Sequence, residues 1–481
     1  MISGLTRRVT SLGMWGGVCG LFSFFIASGN VFLGAAILCL ILLYGLALSG
    51  PQVIASLWLI GSPTFFNVGN QVLKSLPFFT VERLMFVMLA GVIFLRAAFA
   101  KTRRPRFSRL EILIFVFLGY VLISLAMTAT AVSWRRDLWF FTQYAMPMLL
   151  FGLSLRSAWS ESGLKILLAL LTLTGMAVAG MGVLQQFFGV TIFTQDYQVV
   201  TRGHIGRAHG AFTSAETYIA TLSIFLVLTL FQFNLYRDKL VQSGLIVAMV
   251  AMLVGIVLGE TRAPWGGAAL ALLIIFARDR KVRPLLVTGG AIALLVGVVL
   301  FFVMFEHLGS VVDRVTNTQT GEARLALWAT AANMIAHNPV FGVGFGVDSF
   351  ALHRTEYITS LGSVSDQNIG DLGVPHDQYL HVASLLGIVG LCLFVPILFG
   401  VLRLMFRIHK DPANSATHRR LALYVGAIWA GLMFNSVFSD TYIQDYFWVA
   451  AYFLAGLAAG LQREAEPGAV ADGGAPRAST A

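Results

Sequence analysis

Long apolar runs separated by short polar segments make up most of this chain of 481 residues. A helix needs about 20 apolar residues to cross a bilayer, within a range of about 17–25. Runs near that length lie at residues 12–29, 31–49, 52–69, 81–99, 110–130, 137–155, 164–187, 215–235, 243–259, 264–278, 285–304, 381–405, 421–438 and 442–461. The third run contains a proline and the tenth is short, so the pattern predicts an all-α, polytopic bundle of 12 to 14 transmembrane helices.

Two longer polar segments interrupt the apolar runs, near residues 188–214 and 305–380. In the second segment, residues 324–338 have the spacing of an amphipathic helix, and Pro339 ends it. The apolar stripe of that helix is formed by Leu325, Trp328, Ala332 and Ile335. We therefore expect a large outer loop with a helix that lies on the membrane surface or packs on the mouth of the bundle.

These patterns divide the chain into three parts. Residues 1–187 hold the N-terminal membrane helices, residues 188–461 hold the long polar segments and the remaining helices, and residues 462–481 form a tail rich in Ala, Gly, Glu and Pro. Such a composition predicts a disordered tail. Arg7 and Arg8 precede the first apolar run without a small-residue cleavage site, which favours a retained first helix over a removed signal.

Composition supports a membrane protein and excludes other classes. Hydrophobic residues make up 57% of the chain and charged residues only 12%, whereas a soluble domain carries about 25% charged residues. The formal net charge is +10, but most of the Lys and Arg residues lie in short loops, where they set membrane topology rather than bind nucleic acid. The three cysteines lie inside apolar runs, so they predict no disulfide framework.

Positive charge also predicts an orientation. With a cytoplasmic N-terminus, fourteen helices place 23 of the 33 Lys and Arg residues inside, which favours an even number of helices and two cytoplasmic termini. Ten lie on the outer side: Lys74, Arg83, Arg135, Arg136, Arg202, Arg207, Arg262, Arg314, Arg324 and Arg354. The outer arginines are candidates for function because they run against the general charge bias.

His376 stands at the end of the outer loop, directly before an apolar run, and Asp377 follows it. An imidazole at this place could accept a proton from a hydroxyl at neutral pH. The alternative is a loop histidine that caps the next helix. Position alone does not choose between these roles.

Arg262 lies between two apolar runs with almost no loop, in the sequence Gly259-Glu260-Thr261-Arg262-Ala263-Pro264-Trp265. An arginine at this depth needs a partner or a water-filled cavity. A phosphate is one candidate because the guanidinium binds its oxygens in pairs, and an ion pair with Glu260 is the other. Arg207 and Arg324 lie on the same outer side, so three arginines and a histidine could together hold a diphosphate and activate a hydroxyl.

Several familiar motifs are not matched. Gly342-Val-Gly344-Phe-Gly346 lacks the spacing and the strand–helix setting of a dinucleotide site, so it is interpreted as a turn. His376 and His381 are five residues apart, which does not suit two metal ligands on one helical face, and no metal is expected. Arg135 and Arg136 are either interface anchors or contacts to a lipid headgroup.

The motifs of residues 200–395 resemble those of the O-antigen ligase and polysaccharide polymerase superfamily of bacterial membrane glycosyltransferases. They are Arg207-x-x-Gly210-x-Phe212, Thr261-Arg262-x-x-Trp265, Arg324-x-x-x-Trp328, Pro339-x-x-Gly342-x-Gly344-x-Gly346, His376-x-x-Tyr379-Leu380 and Gly387-Ile388-Val389-Gly390. Their order, their spacing and the large outer loop agree with the family, whereas the N-terminal runs match only as a hydrophobic pattern. The family often has Pro-Asn shortly after the first motif, where this chain has Ser214-Ala215-Glu216.

The resemblance implies a glycan donor on undecaprenyl diphosphate, presented at the periplasmic face of the bacterial inner membrane, with no metal and no nucleotide sugar. The catalytic membrane region would be residues 188–461, with residues 305–380 as its periplasmic loop. His376 would be the base or acceptor-orienting group. Arg262, Arg324 and Arg207 would hold the diphosphate, and the supporting side chains would be those of Tyr379, Asp377, Trp265 and Trp328.

Attack of an acceptor hydroxyl opposite the leaving diphosphate would invert the anomeric centre. The acceptor is either a growing exopolysaccharide or O-antigen chain, for a polymerase, or the lipid A core, for a ligase; transfer to protein is a third alternative. The chain length and the loop size favour the polymerase. Membrane lipids and polysaccharide export proteins are the expected partners, with nucleic acid excluded. A non-enzymatic lipid or solute transporter is the alternative from another class.

Overall fold

The computed structural model describes residues 50–64, 80–99, 107–130, 133–157, 159–190, 192, 207–291, 319–358, 373–440 and 445–464. These residues form helices and, within the described ranges, no strand. In chain order the helices are α1 (Pro51–Gly61), α2 (Val81–Phe99), α3 (Arg109–Thr128), α4 (Trp134–Leu155), α5 (Glu161–Phe188), α6 (Ala215–Phe233), α7 (Lys239–Leu258), α8 (Arg262–Arg278), α9 (Gln319–His337), α10 (Ser349–Tyr357), α11 (Gln378–Lys410), α12 (Ala416–Asn435) and α13 (Asp445–Glu464). Residues 283–291 add a further helical stretch.

The chain divides into two compact units. The smaller includes the described residues up to Trp58 and α2, and in it the ring of Trp58 packs edge-on against Phe86 with 6.1 Å between centroids. The larger unit includes everything from α3 onwards. All the motifs that carry the family resemblance lie in this larger unit.

The expected all-helical, multi-pass architecture is confirmed. Six of the described helices (α3 to α7 and α11) are long and apolar enough to cross a membrane, and the shorter segments Pro51–Gly61 and Tyr446–Leu461 are also apolar. The helix expected at residues 324–338 is found as α9, which begins earlier, at Gln319. The runs at 12–29 and 31–49 lie outside the described residues, so the total of 12 to 14 spanning helices stays a prediction.

Burial separates a central helix from a peripheral one. Helix α6 is buried along most of its length, and its Gln232 donates to Leu168 O at 3.0 Å and to Thr172 Oγ1 at 2.6 Å. Helix α7 instead exposes a row of large aliphatic side chains, including Val247, Val250 and Val257. Exposed apolar rows of this kind suit contact with lipid acyl chains, because only a membrane removes them from water.

Helices α8 and α12 are antiparallel and touch through glycine. A Cβ on Gly267 would lie 2.6 Å from Gly431 O, so the two backbones approach more closely than any larger residue would allow. Farther along the same pair, Arg420 Nε lies 2.9 Å from Asp279 Oδ2. The start of α8 therefore lies beside the end of α12.

Helix α11 is broken at Gly387, which has φ 63° and ψ −167°. The backbone groups freed by the break pair with the glycine-rich segment 339–344: Val343 N donates to Ser384 O at 2.9 Å, and Ile388 N donates to Pro339 O at 2.8 Å. Tyr120 Oη supplies a further donor to Leu386 O at 2.8 Å. Irregular backbone inside a membrane bundle requires such internal partners, and a Cβ at residue 387 would lie 2.2 Å from Val340 O.

Alternation of the helices gives the larger unit two distinct ends. The basic end carries Arg156, Arg283 and Arg420, which lie close to the ends or starts of α4, α8 and α12. The motif end carries Arg207, Arg262 and His376 and is linked by Ala208 N to Leu258 O at 3.2 Å and by Gln378 N to Ser436 O at 2.9 Å. Arg207, Arg262 and His376, which span about 170 residues of the chain, thus lie at the same end of the bundle.

Candidate active site at the motif end

His376 is held in an unusual backbone conformation. It is half-buried, and its φ of 52° lies in the left-handed region, which costs energy for a residue with a Cβ. The next residue, Asp377, is the N-cap of α11 and accepts a hydrogen bond from Leu380 N at 2.8 Å. The alternative in which His376 caps the helix is therefore wrong, because the carboxylate of Asp377 already does so.

Charges around His376 favour its neutral form. Burial lowers the pKa of the imidazole below its ordinary value of 6.5, and the positive charges of Arg324 and His381 lower it further, while Asp440 opposes them. Arg324 is half-buried near the start of α9. The structure thus brings together His376 and Arg324, two of the predicted site residues.

Asp377 and Tyr379 support the start of α11. Burial raises the pKa of Asp377, although the hydrogen bonds from the Leu380 and Tyr379 backbone oppose that shift. Tyr379 Oη donates to Met433 O at 3.0 Å, and Gln378 Nε2 donates to Tyr144 Oη at 2.8 Å. These hydrogen bonds connect the start of α11 to α12 and α4. They therefore fix the position of the backbone that follows His376.

Arg262 is the first residue of α8 and is exposed. It follows Glu260, the other described non-glycine residue with positive φ, at 46°. Trp265 of the same motif donates its indole N–H to Ile256 O at 2.7 Å and so fixes the tight turn between α7 and α8. This turn directs the N-terminus of α8, with its orphan N–H groups, towards the motif end.

Arg207 is exposed in a turn that packs against the end of α7. Gln185 Oε1 accepts from His209 N at 2.9 Å and from Gly210 N at 3.1 Å, so α5 holds this turn in place. Burial lowers the pKa of His209, which is a neutral, structural histidine here. Arg207 and Arg262 therefore both lie beside the end of α7.

Arg324 and Trp328 are one turn apart on α9. Trp328 is half-buried, and its indole N–H is buried with no hydrogen-bond partner among the described residues. Neither Arg324 nor Arg207 forms an ion pair with a carboxylate in the described part of the chain.

Sequence reasoning missed the side chains behind His376. His381 Nδ1 contacts Asp440 Oδ2, and both residues are buried. Asp137 is also buried and accepts from Val347 N at 3.0 Å, while Arg136 lies 2.6 Å from Asp348. The only sequence signal for Asp440 was an acid in the short gap between two apolar runs, where charge is unusual.

The two arginines whose role was left open now have partners. Arg136 pairs with Asp348 at the exposed surface, and the Arg135 guanidinium lies 5.7 Å from the centre of the Trp134 ring. In the described residues, no group of three or more His, Cys, Asp or Glu side chains is placed to hold a metal ion.

Comparison with known proteins matches this part of the chain. A protein-family model described as O-antigen ligase matches residues 247–395. This part of the chain is similar to O-antigen ligases. That region includes Arg262, Arg324 and His376, whereas Arg207 lies before it. The resemblance predicted from the motifs is thereby confirmed, and it supports a role in glycan transfer.

One relative from Rickettsia felis bears the name "Putative polysaccharide ligase". It is 25% identical over 181 residues, which cover 37% of this chain and 43% of the relative. The chain therefore spans less than half of the length of this relative, and the likeness concerns part of each protein rather than the whole.

Proposed function

We propose that this protein transfers a glycan from undecaprenyl diphosphate to a sugar hydroxyl, as an inverting and metal-independent glycosyltransferase. The observation that carries the proposal is His376. Its strained backbone, its half-burial and the nearby charge of Arg324 set a neutral imidazole at the mouth of an apolar bundle. Strain of this kind is retained where a site needs a particular orientation.

His376 would serve as the base. The O–H bond of the acceptor breaks, its proton passes to a free ring nitrogen of His376, and the oxygen forms a bond to the anomeric carbon. A histidine with lowered pKa is unprotonated at neutral pH, so it is ready to accept that proton. The proton is then released to water.

The arginines would meet the leaving group. The bond from the anomeric carbon to the diphosphate oxygen breaks, and its electron pair stays with the lipid diphosphate. Arg262, Arg324 and Arg207 can balance that charge, and fixed positive groups stabilise a leaving diphosphate without having to reorganise. The N-terminus of α8 adds partial positive charge on the same side as Arg262.

The proposed acceptor is the growing end of an exopolysaccharide or O-antigen chain, so that the protein polymerises repeat units. The second candidate is a ligase that delivers the finished glycan to the lipid A core. It is favoured by the names of the matched family and of the Rickettsia relative, which both refer to ligases. The chemistry at His376 is the same for both acceptors.

The proposed location is the bacterial inner membrane, with both termini cytoplasmic and the motif end periplasmic. Support comes from the basic end, where Arg156, Arg283 and Arg420 cluster as expected for the cytoplasmic side. Polysaccharide export proteins would take up the product at the motif end.

The test is turnover of purified protein with a lipid-linked glycan and a sugar acceptor, read as release of undecaprenyl diphosphate. His376→Ala should lower turnover by about 100-fold or more, the scale of a lost proton acceptor. His409→Ala is the matched control, since His409 is also half-buried but lies at the basic end, 2.9 Å from Arg419 O. Equal turnover in the parent and in His376→Ala would end the proposal.

If the parent protein itself released no undecaprenyl diphosphate, lipid transport would be the alternative function, because a broken helix such as α11 also occurs in transporters. The acceptor is settled by glycan length in a deletion strain. Single repeat units on the lipid would indicate a polymerase, whereas long polymer that fails to reach the core would indicate a ligase.

A further inference from the structure

A buried contact between a histidine and a carboxylate lies near His376. His381 is fully buried, Asp440 is 3% exposed, and His381 Nδ1 contacts Asp440 Oδ2. His381 is on α11, five residues after His376, while Asp440 is on the connection that follows α12. The pair therefore joins the helix that presents His376 to a separate part of the bundle.

The pair lies in a buried, partly aromatic setting. The rings of Phe140 and Phe350 flank the His381 imidazole, with centroids 6.1 Å and 6.0 Å away. Removing a carboxylate and an imidazole from water is unfavourable unless the two are paired. In this fold His381, five residues after the strained His376, contacts Asp440 on a separate segment.

Both members of the pair affect the pKa of His376. The titratable and charged groups around His376 are Asp377 and His381 on α11, Arg324 on α9 and Asp440 after α12, with Tyr144 of α4 next to Asp440. Asp440 is the group that favours a positive charge on His376, whereas Arg324 and His381 disfavour it. Asp440 therefore opposes the neighbouring arginine at the moment when His376 takes up a proton.

We propose that His381 and Asp440 are a positioning pair that orients the His376 segment, and that the Asp440 carboxylate stabilises the imidazolium that forms when His376 accepts the acceptor's proton. The pair touches no substrate and acts only through His376. This inference rests on the proposed function, because it assigns a role relative to the base. Asp440 is buried and lies 64 residues after His376 in the chain, so the sequence alone does not indicate this role.

The test compares Asp440→Asn and Asp440→Glu in purified full-length protein. Asp440→Asn should lower kcat by about 10-fold or more while the KM for the lipid-linked donor stays within about 2-fold, since a general base contributes about 100-fold or more. The acid limb of the pH–rate profile should move to lower pH, because a group that raises the pKa of His376 has been removed. Asp440→Glu, which keeps the charge, should restore part of kcat.

Two comparisons separate positioning from stability. Asp279→Asn removes the carboxylate of another buried ion pair, that with Arg420 at the basic end, and should lower the thermal midpoint without moving the pH–rate profile. In a His376→Ala background, Asp440→Asn should have little further effect on turnover, because its route through His376 is already lost. A full additional loss in that background, or an unmoved acid limb, would overturn the positioning role.

If Asp440→Asn does not assemble, His381→Gln takes its place, since its amide can still donate to the Asp440 carboxylate. In this variant kcat should again fall, but the acid limb should move to higher pH, because a group that lowers the pKa of His376 has been removed. The outcomes also separate the two proposals. Near-parental turnover in His376→Ala refutes the proposed function, whereas loss in His376→Ala together with unchanged turnover in Asp440→Asn refutes only the positioning pair.

Discussion

The two ends of the larger unit hold their polar groups in different ways. At the basic end, arginine side chains are paired: Arg156 contacts Glu111, Arg420 contacts Asp279, and Arg283 donates to Phe276 O at 2.7 Å. At the motif end, irregular backbone predominates, with left-handed residues at Glu260 and His376. Arginine pairing also occurs at the motif end, where Arg136 contacts Asp348, but the described non-glycine residues with positive φ lie at the motif end and not at the basic end.

This difference separates topology from function. Arginines paired within the protein neutralise buried carboxylates and mark the side of the membrane on which they lie. Arg324, in contrast, acts electrostatically on His376. Its positive charge lowers the pKa of this candidate base. The position of an arginine along the chain does not show whether it has a structural or a functional role. The residue that it neighbours in the fold does.

The largest difference expected between the two ends is in their accessibility from outside the cell, because they should lie on opposite sides of the membrane. Thr355 and Thr417 are both exposed, the first in the outer loop and the second at the start of α12. With the native cysteines replaced, Thr355→Cys should react fully with a membrane-impermeant thiol reagent in spheroplasts, and Thr417→Cys should not react. The reverse pattern would invert the topology and remove the periplasmic site.

A second difference concerns the arginines themselves. Arg262→Lys keeps the charge but loses the paired donors, so donor binding should weaken by about 10-fold while the protein assembles like the parent. Arg420→Lys at the basic end should instead lower thermal stability and leave donor binding unchanged, because Arg420 serves Asp279. Donor titration of both variants gives the answer, and equal affinity for the parent and Arg262→Lys would show that the diphosphate is held elsewhere.

A smaller effect is expected from the irregular backbone. Gly387 has a left-handed backbone conformation, and a Cβ added there would clash with the Val340 carbonyl. Gly387→Ala should therefore destabilise the protein by more than about 1 kcal/mol. Gly119→Ala lies within α3 with no atom within 4 Å of the added carbon, and it should leave stability equal or raised by about 0.5–1 kcal/mol. Thermal midpoints compare the two, and similar midpoints would contradict a strained break in α11.

The smallest expected effect is a shift in pH dependence. Protonation of His376 abolishes the base, so turnover should fall as pH decreases through its pKa, which lies below 6.5. Arg324→Gln removes a charge that lowers this pKa, so the acid limb should move to higher pH. Initial rates from pH 4.5 to 8 measure the shift, and a limb that stays in place would mean that His376 is not the titrating base.

Hydropathy predicted the helices well because apolar length is a local property. The run at 110–130 became Arg109–Thr128, and that at 215–235 became Ala215–Phe233. The break in α11 was not predicted, since residues 381–405 remain apolar across Gly387 and its partners come from segment 339–344. A window along the chain cannot detect a backbone partner more than 40 residues away.

The site was predicted in part for the same reason. His376 and Arg324 stood out as polar residues in an apolar chain, and the positive charge of Arg324 lowers the pKa of His376. The pairing of His381 with Asp440 and of Gln378 with Tyr144 was invisible, because each joins residues far apart in sequence. The left-handed φ of His376 was equally hidden, since nothing in the residue type signals it.

The pairing of segment 339–344 with the break in α11 also sets where this protein can change in length. Hydrogen bonds at Val343, Gly344, Ile388 and Val389 fix the register of both partners. Insertion of a single residue inside either partner would shift the bonds beyond it by one position. Related proteins should therefore keep these two stretches constant in length.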